Sequence, residues 1–232
     1  MRKRIVIYLS VILCMAISAF LLRIRWFSIL PSAIVGDMCF LDHVPGNAII
    51  RYDTTYDEVV KEGLSSADNI VRVRSTGEQQ AMYHSTLSTV TVIQVWKGDM
   101  TLLGHEIAVY ERGYFYVRGD KVYYHPGGVE NLMHEGGEYI LFLKALENPR
   151  GEPKSFAEYT MDWAFADLGI DLPCLIPWTD APTAAIVTEE AIWNDEVLYR
   201  DIKETDFICL DNATLDAVVA RNEVIKKWFE LY

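Results

Sequence analysis

The sequence predicts a mainly β fold with flanking helices, set behind one N-terminal transmembrane helix. Three observations carry that expectation: a long uncharged run near the start, a series of period-two segments between residues 69 and 144, and an apolar stripe at helical spacing near the C-terminus. The chain has 232 residues, of which 51% are hydrophobic and 12% aromatic, and this excludes a disordered or fibrous protein. Its 21 Lys+Arg face 33 Asp+Glu, and the charge is unevenly placed. Arg2, Lys3, Arg4, Arg23 and Arg25 stand in the first 25 residues without an acid, so the rest carries 16 − 33 = −17. Such an acidic domain repels phosphate backbones, and no nucleic acid is expected as a partner.

Ile5 to Leu22 form eighteen positions without a charge. At 1.5 Å per residue a helix of that length reaches about 27 Å, close to the hydrocarbon thickness of a bilayer. The apolar character continues through Ile24, Trp26, Phe27, Ile29 and Leu30 until Pro31, so residues 1–30 read as an anchor with Trp26 at the interface. Two other readings compete. A cleaved signal peptide would use Ala16-Ile17-Ser18, but the apolar run passes through that point unbroken. A lipoprotein would use Cys14, but Val11-Ile12-Leu13 lacks the small residue expected just before a lipidated cysteine. Three basic side chains before the span and two after it favour a cytoplasmic N-terminus, which places the main domain outside the cytoplasm at the cell membrane.

Residues 31–54 read as a linker. Thr55-Tyr56-Asp57-Glu58 is a capping box, and Tyr56, Val59, Val60 and Leu64 make the buried stripe of a short helix ended by Gly63. From Asn69 the period becomes two, with Val71 and Val73 alternating with Arg72 and Arg74. Thr86 to Trp96 is a second strand whose apolar residues change face between Val92 and Ile93, the mark of a bulge or of burial on both sides. Lys97-Gly98-Asp99 turns the chain into Glu106 to Glu111. Tyr114 to Arg118 and Lys121 to His125 then flank Gly119-Asp120, a two-residue loop suited to a primed hairpin turn. Glu138 to Lys144, after Gly136-Gly137, fits a central strand buried on both faces.

Beyond residue 148 the pattern is weaker. Ser155-Phe156-Ala157-Glu158 predicts a second helix through Tyr159, Trp163 and Leu168, and Val197 to Ile202 predicts one strand. Asn212 is expected to cap a C-terminal amphipathic helix that buries Leu215, Val218, Val219, Ile225, Trp228 and Phe229. Residues 149–232 thus form an extension that packs on the β domain of residues 55–148.

Val95-Trp96-Lys97-Gly98-Asp99 and Gly137-Glu138-Tyr139-Ile140-Leu141-Phe142-Leu143, placed as they are behind Ala67-Asp68-Asn69-Ile70-Val71, resemble strand ends of membrane-anchored bacterial envelope proteins of unknown function. The resemblance covers about residues 55–144 and implies a small OB-like β-barrel related in shape to the netrin and metalloproteinase-inhibitor modules. It brings no catalytic residues, and the N-terminal cysteine on which that inhibitor family depends has no counterpart here.

No G-x-S-x-G, S-x-x-K or protease cysteine signature is present, so no catalytic, cofactor-binding or metal-binding residue is assigned. His43, His84, His105, His125 and His134 lack H-x-x-x-H spacing, and Cys39, Cys174 and Cys209 lack any metal pattern. Those cysteines read as small buried residues, with one disulfide open between the two late ones. Arg118-Gly119-Asp120 spells an adhesion tripeptide, yet a tight turn alone explains it. Tyr110, Tyr114, Phe115, Tyr116, Tyr123 and Tyr124 must send some rings outward. The expected function is a non-enzymatic binding module that presents Tyr114, Tyr116 and Tyr124 to an envelope protein or a glycan. The alternatives are a membrane-tethered hydrolase whose site is assembled only in three dimensions and a structural component that oligomerises through the C-terminal helix.

Overall fold

A computed structural model of the chain describes residues 39–44, 67–82, 84–145, 158–161 and 175–230. The segment Ile5–Leu22, the helix expected from Thr55, Cys14 and Cys174 lie outside the described residues. No helix among the described residues is long and apolar enough to cross a membrane. Strands hold 46% of the described residues and helices 22%, so the protein is mainly β with a C-terminal helix.

The main sheet contains β2 (Asn69–Met82), β3 (Ser85–Lys97), β4 (Glu106–Glu111), β7 (Glu138–Ala145), β8 (Glu158–Met161) and β9 (Leu175–Pro177). A second sheet has the order β1 (Cys39–Leu41), β6 (Lys121–His125), β5 (Tyr114–Arg118), and β10 (Ala184–Ile186) pairs in parallel with β11 (Phe207–Cys209). The helices are α1 (Glu189–Trp193), α2 (Tyr199–Ile202) and α3 (Asn212–Glu230).

The β2–β3 pair follows from its alternation, with Val71, Val73, Val90 and Val92 all buried toward one core. Arg72 pairs with Gln94 and Val73 with Val92, so Ile93 is the unpaired residue of a bulge, the first of the two readings its change of face allowed. Gly98, at φ +101°, closes the next turn, and Asn69 Oδ1 accepts a hydrogen bond from Asp99 N at 2.9 Å.

β2 bonds on both of its edges, to β3 and to β7, and β4 bonds in parallel to β8, which bonds in turn to β7. The result is a curled sheet around Val71, Val90, Val109, Leu141 and Leu143. It is not the closed barrel expected from the sequence. Residue pairs link β8 to β4 only at Ala108–Tyr110 and to β7 only at Leu143–Ala145, while β9 occupies part of the same β7 edge.

Three further expectations are corrected. Glu158–Met161 is strand where a capping box predicted helix, because these residues complete the edges of β4 and β7, a pairing that no local signal reports. Tyr199–Ile202 is a helical turn where a strand was predicted, and it buries Tyr199 and Ile202 on one side. The cap of α3 is Asp211, whose Oδ1 accepts from Thr214 N at 2.7 Å, one residue before the predicted Asn212.

α3 joins two regions. Val218 packs with Val129, Phe207 and Cys209, whereas Ile225 and Phe229 cover Ile70, Ile140, Phe142 and Ile176 on the outer face of the main sheet. Burying each of these large apolar side chains stabilises the fold by roughly 1.5–3 kcal/mol. Arg221, nearly inaccessible on the same helix, donates to Glu130 at 2.8 Å and ties α3 to the segment after β6.

Cys39 and Cys209 are free thiols, so no disulfide joins Cys209 to Cys174. Burial pushes each thiol up to about 12, which keeps it protonated and unreactive. A thiol reagent is therefore expected to leave Cys39 and Cys209 unmodified in the native protein and to label both in urea. Peptide mapping by mass spectrometry reads the result, and fast native labelling of either residue contradicts the packing.

Candidate functional site

The β5–β6 hairpin forms as its alternation dictates, with Gly119 at φ +69° in the turn. Tyr114 pairs with His125, Phe115 with Tyr124 and Tyr116 with Tyr123, and on the far edge of β6 Phe40 pairs with Tyr123. One face of this sheet turns inward, where Phe115 and Tyr124 pack against Tyr199, with Leu41 in the same cluster. The other face carries Phe40, Tyr114, Tyr116, Tyr123 and His125 outward.

The outward rings form a continuous file. His84 lies 4.9 Å from Tyr114, Tyr114 lies 5.0 Å from His125, and His125 lies 6.1 Å from His43. Alongside, Tyr114 neighbours Tyr116 at 6.1 Å and Tyr116 stacks on Tyr123 at 5.6 Å. Two cations fold back over the file, Arg118 at 4.2 Å above Tyr123 and Lys121 at 5.0 Å above Phe40. Each is held by a carboxylate, Arg118 by Asp42 at 3.7 Å and Lys121 by Asp195 at 2.6 Å. Asp42 also meets His125 Nδ1 at 3.3 Å. Burial, and then a hydrogen bond to Asp42, holds the Tyr116 hydroxyl well above the usual phenol range, so it remains a protonated hydrogen-bonding tip.

Of the three tyrosines expected to meet a partner, the structure brings Tyr114 and Tyr116 together on the outward face. Tyr124 is corrected: it is 0% exposed and its hydroxyl donates to Asn131 Oδ1 at 3.0 Å. Its pairing with Phe115 sets it on the inward face of the sheet, opposite to the face of Tyr114 and Tyr116.

Sequence reasoning missed Glu111, which is 3% exposed. Ile107, Val109 and Glu111 share one parity on β4, and that alternation is the signal that placed a carboxylate among core residues. Ser88 Oγ donates to one oxygen of Glu111 and Met133 N donates to the other at 2.9 Å. Burial pushes the carboxyl up to about 7 against the effect of those two bonds. Elsewhere, His134 Nε2 meets Asp206 Oδ1 at 3.3 Å, and Asp206 Oδ2 accepts from Thr183 N at 2.8 Å. Among the described residues no group of His, Cys, Asp and Glu is arranged to hold a metal ion.

A scan against models of known protein families finds no match, and a search of curated proteins finds none either.

Proposed function

We propose that the chain is a membrane-anchored, extracytoplasmic and non-enzymatic interaction module, held in the bilayer through Ile5–Leu22, whose partner is an envelope protein or a glycan. The observation that carries this reading is the adjacent pair Tyr114 and Tyr116, both half-buried, set in a file of rings on one sheet face. Aromatic rings with polar tips suit interfaces, because they bury much apolar area while keeping a hydrogen bond available. The strand sequence β2-β3-β4-β8-β7, with β7 also bonded to β2 and one parallel pair at β4–β8, supports kinship with OB-like netrin and inhibitor modules.

The hydrolase reading looks for a titratable group poised at an open site. Glu111 has the raised pKa that such a site needs, but its two oxygens are engaged by Ser88 and Met133 in the core, which favours a structural role.

Changing Tyr114 and Tyr116 together to Ser is expected to remove the partner from pull-downs made from solubilised membranes. The double change lowers stability by about 1 kcal/mol per residue and leaves the circular dichroism spectrum intact. Undiminished capture by the double variant overturns the reading, and glycosidase treatment of the captured material separates glycan from protein.

A further inference from the structure

β1 runs parallel to β6, with Cys39 opposite Val122 and Leu41 opposite Tyr124. The N-terminal end of β1 therefore lies beside the Gly119–Asp120 turn, and the preceding chain reaches the domain there. Residues 31–38 stand between the apolar run that ends at Leu30 and this point, and eight residues span at most about 28 Å. If residues 1–30 are anchored as proposed above, on which this inference rests, the hairpin turn is tethered within about 28 Å of the end of the anchor.

The tethered turn has exposed apolar side chains near it. Val117, one residue before Arg118 and the turn, is 56% exposed. Trp193, at the end of α1, is 80% exposed, and it stands two residues from Asp195, the carboxylate that holds Lys121 of the turn and meets Tyr123 Oη at 3.3 Å. Exposed large apolar residues are ordinary when scattered, but Val117 beside the tethered turn, and Trp193 on the segment whose Asp195 holds Lys121, are placed where an interfacial ring is favourable. The two cations of the turn fold back onto Tyr123 and Phe40 and are matched by Asp42 and Asp195, so the turn offers no unpaired positive charge for acidic lipid.

We infer that the β5–β6 turn and Trp193 rest in the interfacial layer of the bilayer, in contact with uncharged, zwitterionic lipid, and so fix the orientation of the domain above its anchor. The full chain in phosphatidylcholine vesicles tests this, with tryptophan emission quenched by lipid carrying bromine on its acyl chains. Trp26 reports the anchor, so the contact is read in a Trp26→Phe background. Quenching is expected to persist there, to be lost on the further change Trp193→Phe, and to fall on Val117→Asp, both substitutions being at exposed positions that leave the fold intact. Replacing part of the lipid by phosphatidylglycerol is expected to leave the quenching undiminished or weaker, never stronger.

If Trp26→Phe alone abolishes all quenching while the protein still floats with the vesicles, the anchor stands and the inference is overturned. Strengthening by acidic lipid overturns the uncharged contact. If the unmodified chain neither floats nor is quenched, the anchor itself fails, and this inference fails with it.

Discussion

Replacing Glu111 by Gln is expected to raise the unfolding midpoint at pH 8 and to leave it nearly unchanged at pH 5. The carboxyl sits in the core with an ordinary value of 4.5 when unfolded and about 7 when folded, burial being the main cause. The folded state therefore holds the proton more tightly. Its contribution is fully present below about pH 4.5 and is lost as pH rises through about 7, a difference of about 3 kcal/mol. The glutamine side chain keeps the shape and serves both neighbours: its carbonyl accepts from Met133 N and its amide donates to Ser88 Oγ. It has no charge to bury at pH 8, so it recovers most of that loss, equivalent to roughly 6–12 °C for a chain of this size. Thermal unfolding of both proteins at half-unit steps from pH 5 to pH 8 checks this, since the difference between the curves removes the other titrating groups. Parallel curves show that Glu111 is not the source of the slope.

Tyr124→Ser is expected to cost about 3–5 kcal/mol, a large part of the stability of an ordinary domain. The ring fills the space between Phe115 at 5.1 Å and Tyr199 at 4.5 Å, and its hydroxyl serves Asn131, whose amide in turn donates to Ile202 O and Thr205 O. Losing the ring opens a cavity and also weakens the link that holds α2 to the segment after β6. Tyr124→Phe keeps the ring and loses one buried hydrogen bond, so it costs about 1–2 kcal/mol. Urea unfolding of the four proteins gives Tyr124→Ser as the least stable by a wide margin, with Tyr124→Phe and Tyr114→Ser each within about 1–2 kcal/mol of wild type. Equal losses for Tyr124→Ser and Tyr114→Ser contradict the assignment of Tyr124 to the core.

What local pattern could reveal is clearest at the hairpin. Tyr114–Arg118 and Lys121–His125 have the bounds that their alternation and the Gly119-Asp120 turn require, because both signals act between residues close in sequence. The bulge at Ile93 was legible for the same reason. Glu158–Met161 was not, since its strand state depends on pairing with β7, 14 to 18 residues back, and with β4, 50 residues back. Tyr199–Ile202 is four residues long, too short for a period of 2 to be told from one of 3.6.

At the candidate site the same division holds. Parity puts Tyr114 and Tyr116 on one face and the two-residue turn pairs Tyr124 with Phe115 on the other, whereas the Tyr199 and Ile208 that bury Tyr124 come from a region with no strong pattern of its own. The coupling of Arg118 to Asp42 and of Lys121 to Asp195 is likewise a product of topology.

The position of α3 has a consequence for synthesis. The face made by Ile70, Ile140, Phe142 and Ile176 is sealed by Ile225 and Phe229, side chains translated well after the strands they cover. The 86 positions from Leu143 to Phe229 take on the order of 4–17 s to add at ordinary rates of translation. Throughout that interval the nascent chain carries an uncovered apolar sheet face. α3 is thus the element that closes this face, and truncation before Ile225 is expected to leave a chain prone to aggregate however well its strands have paired.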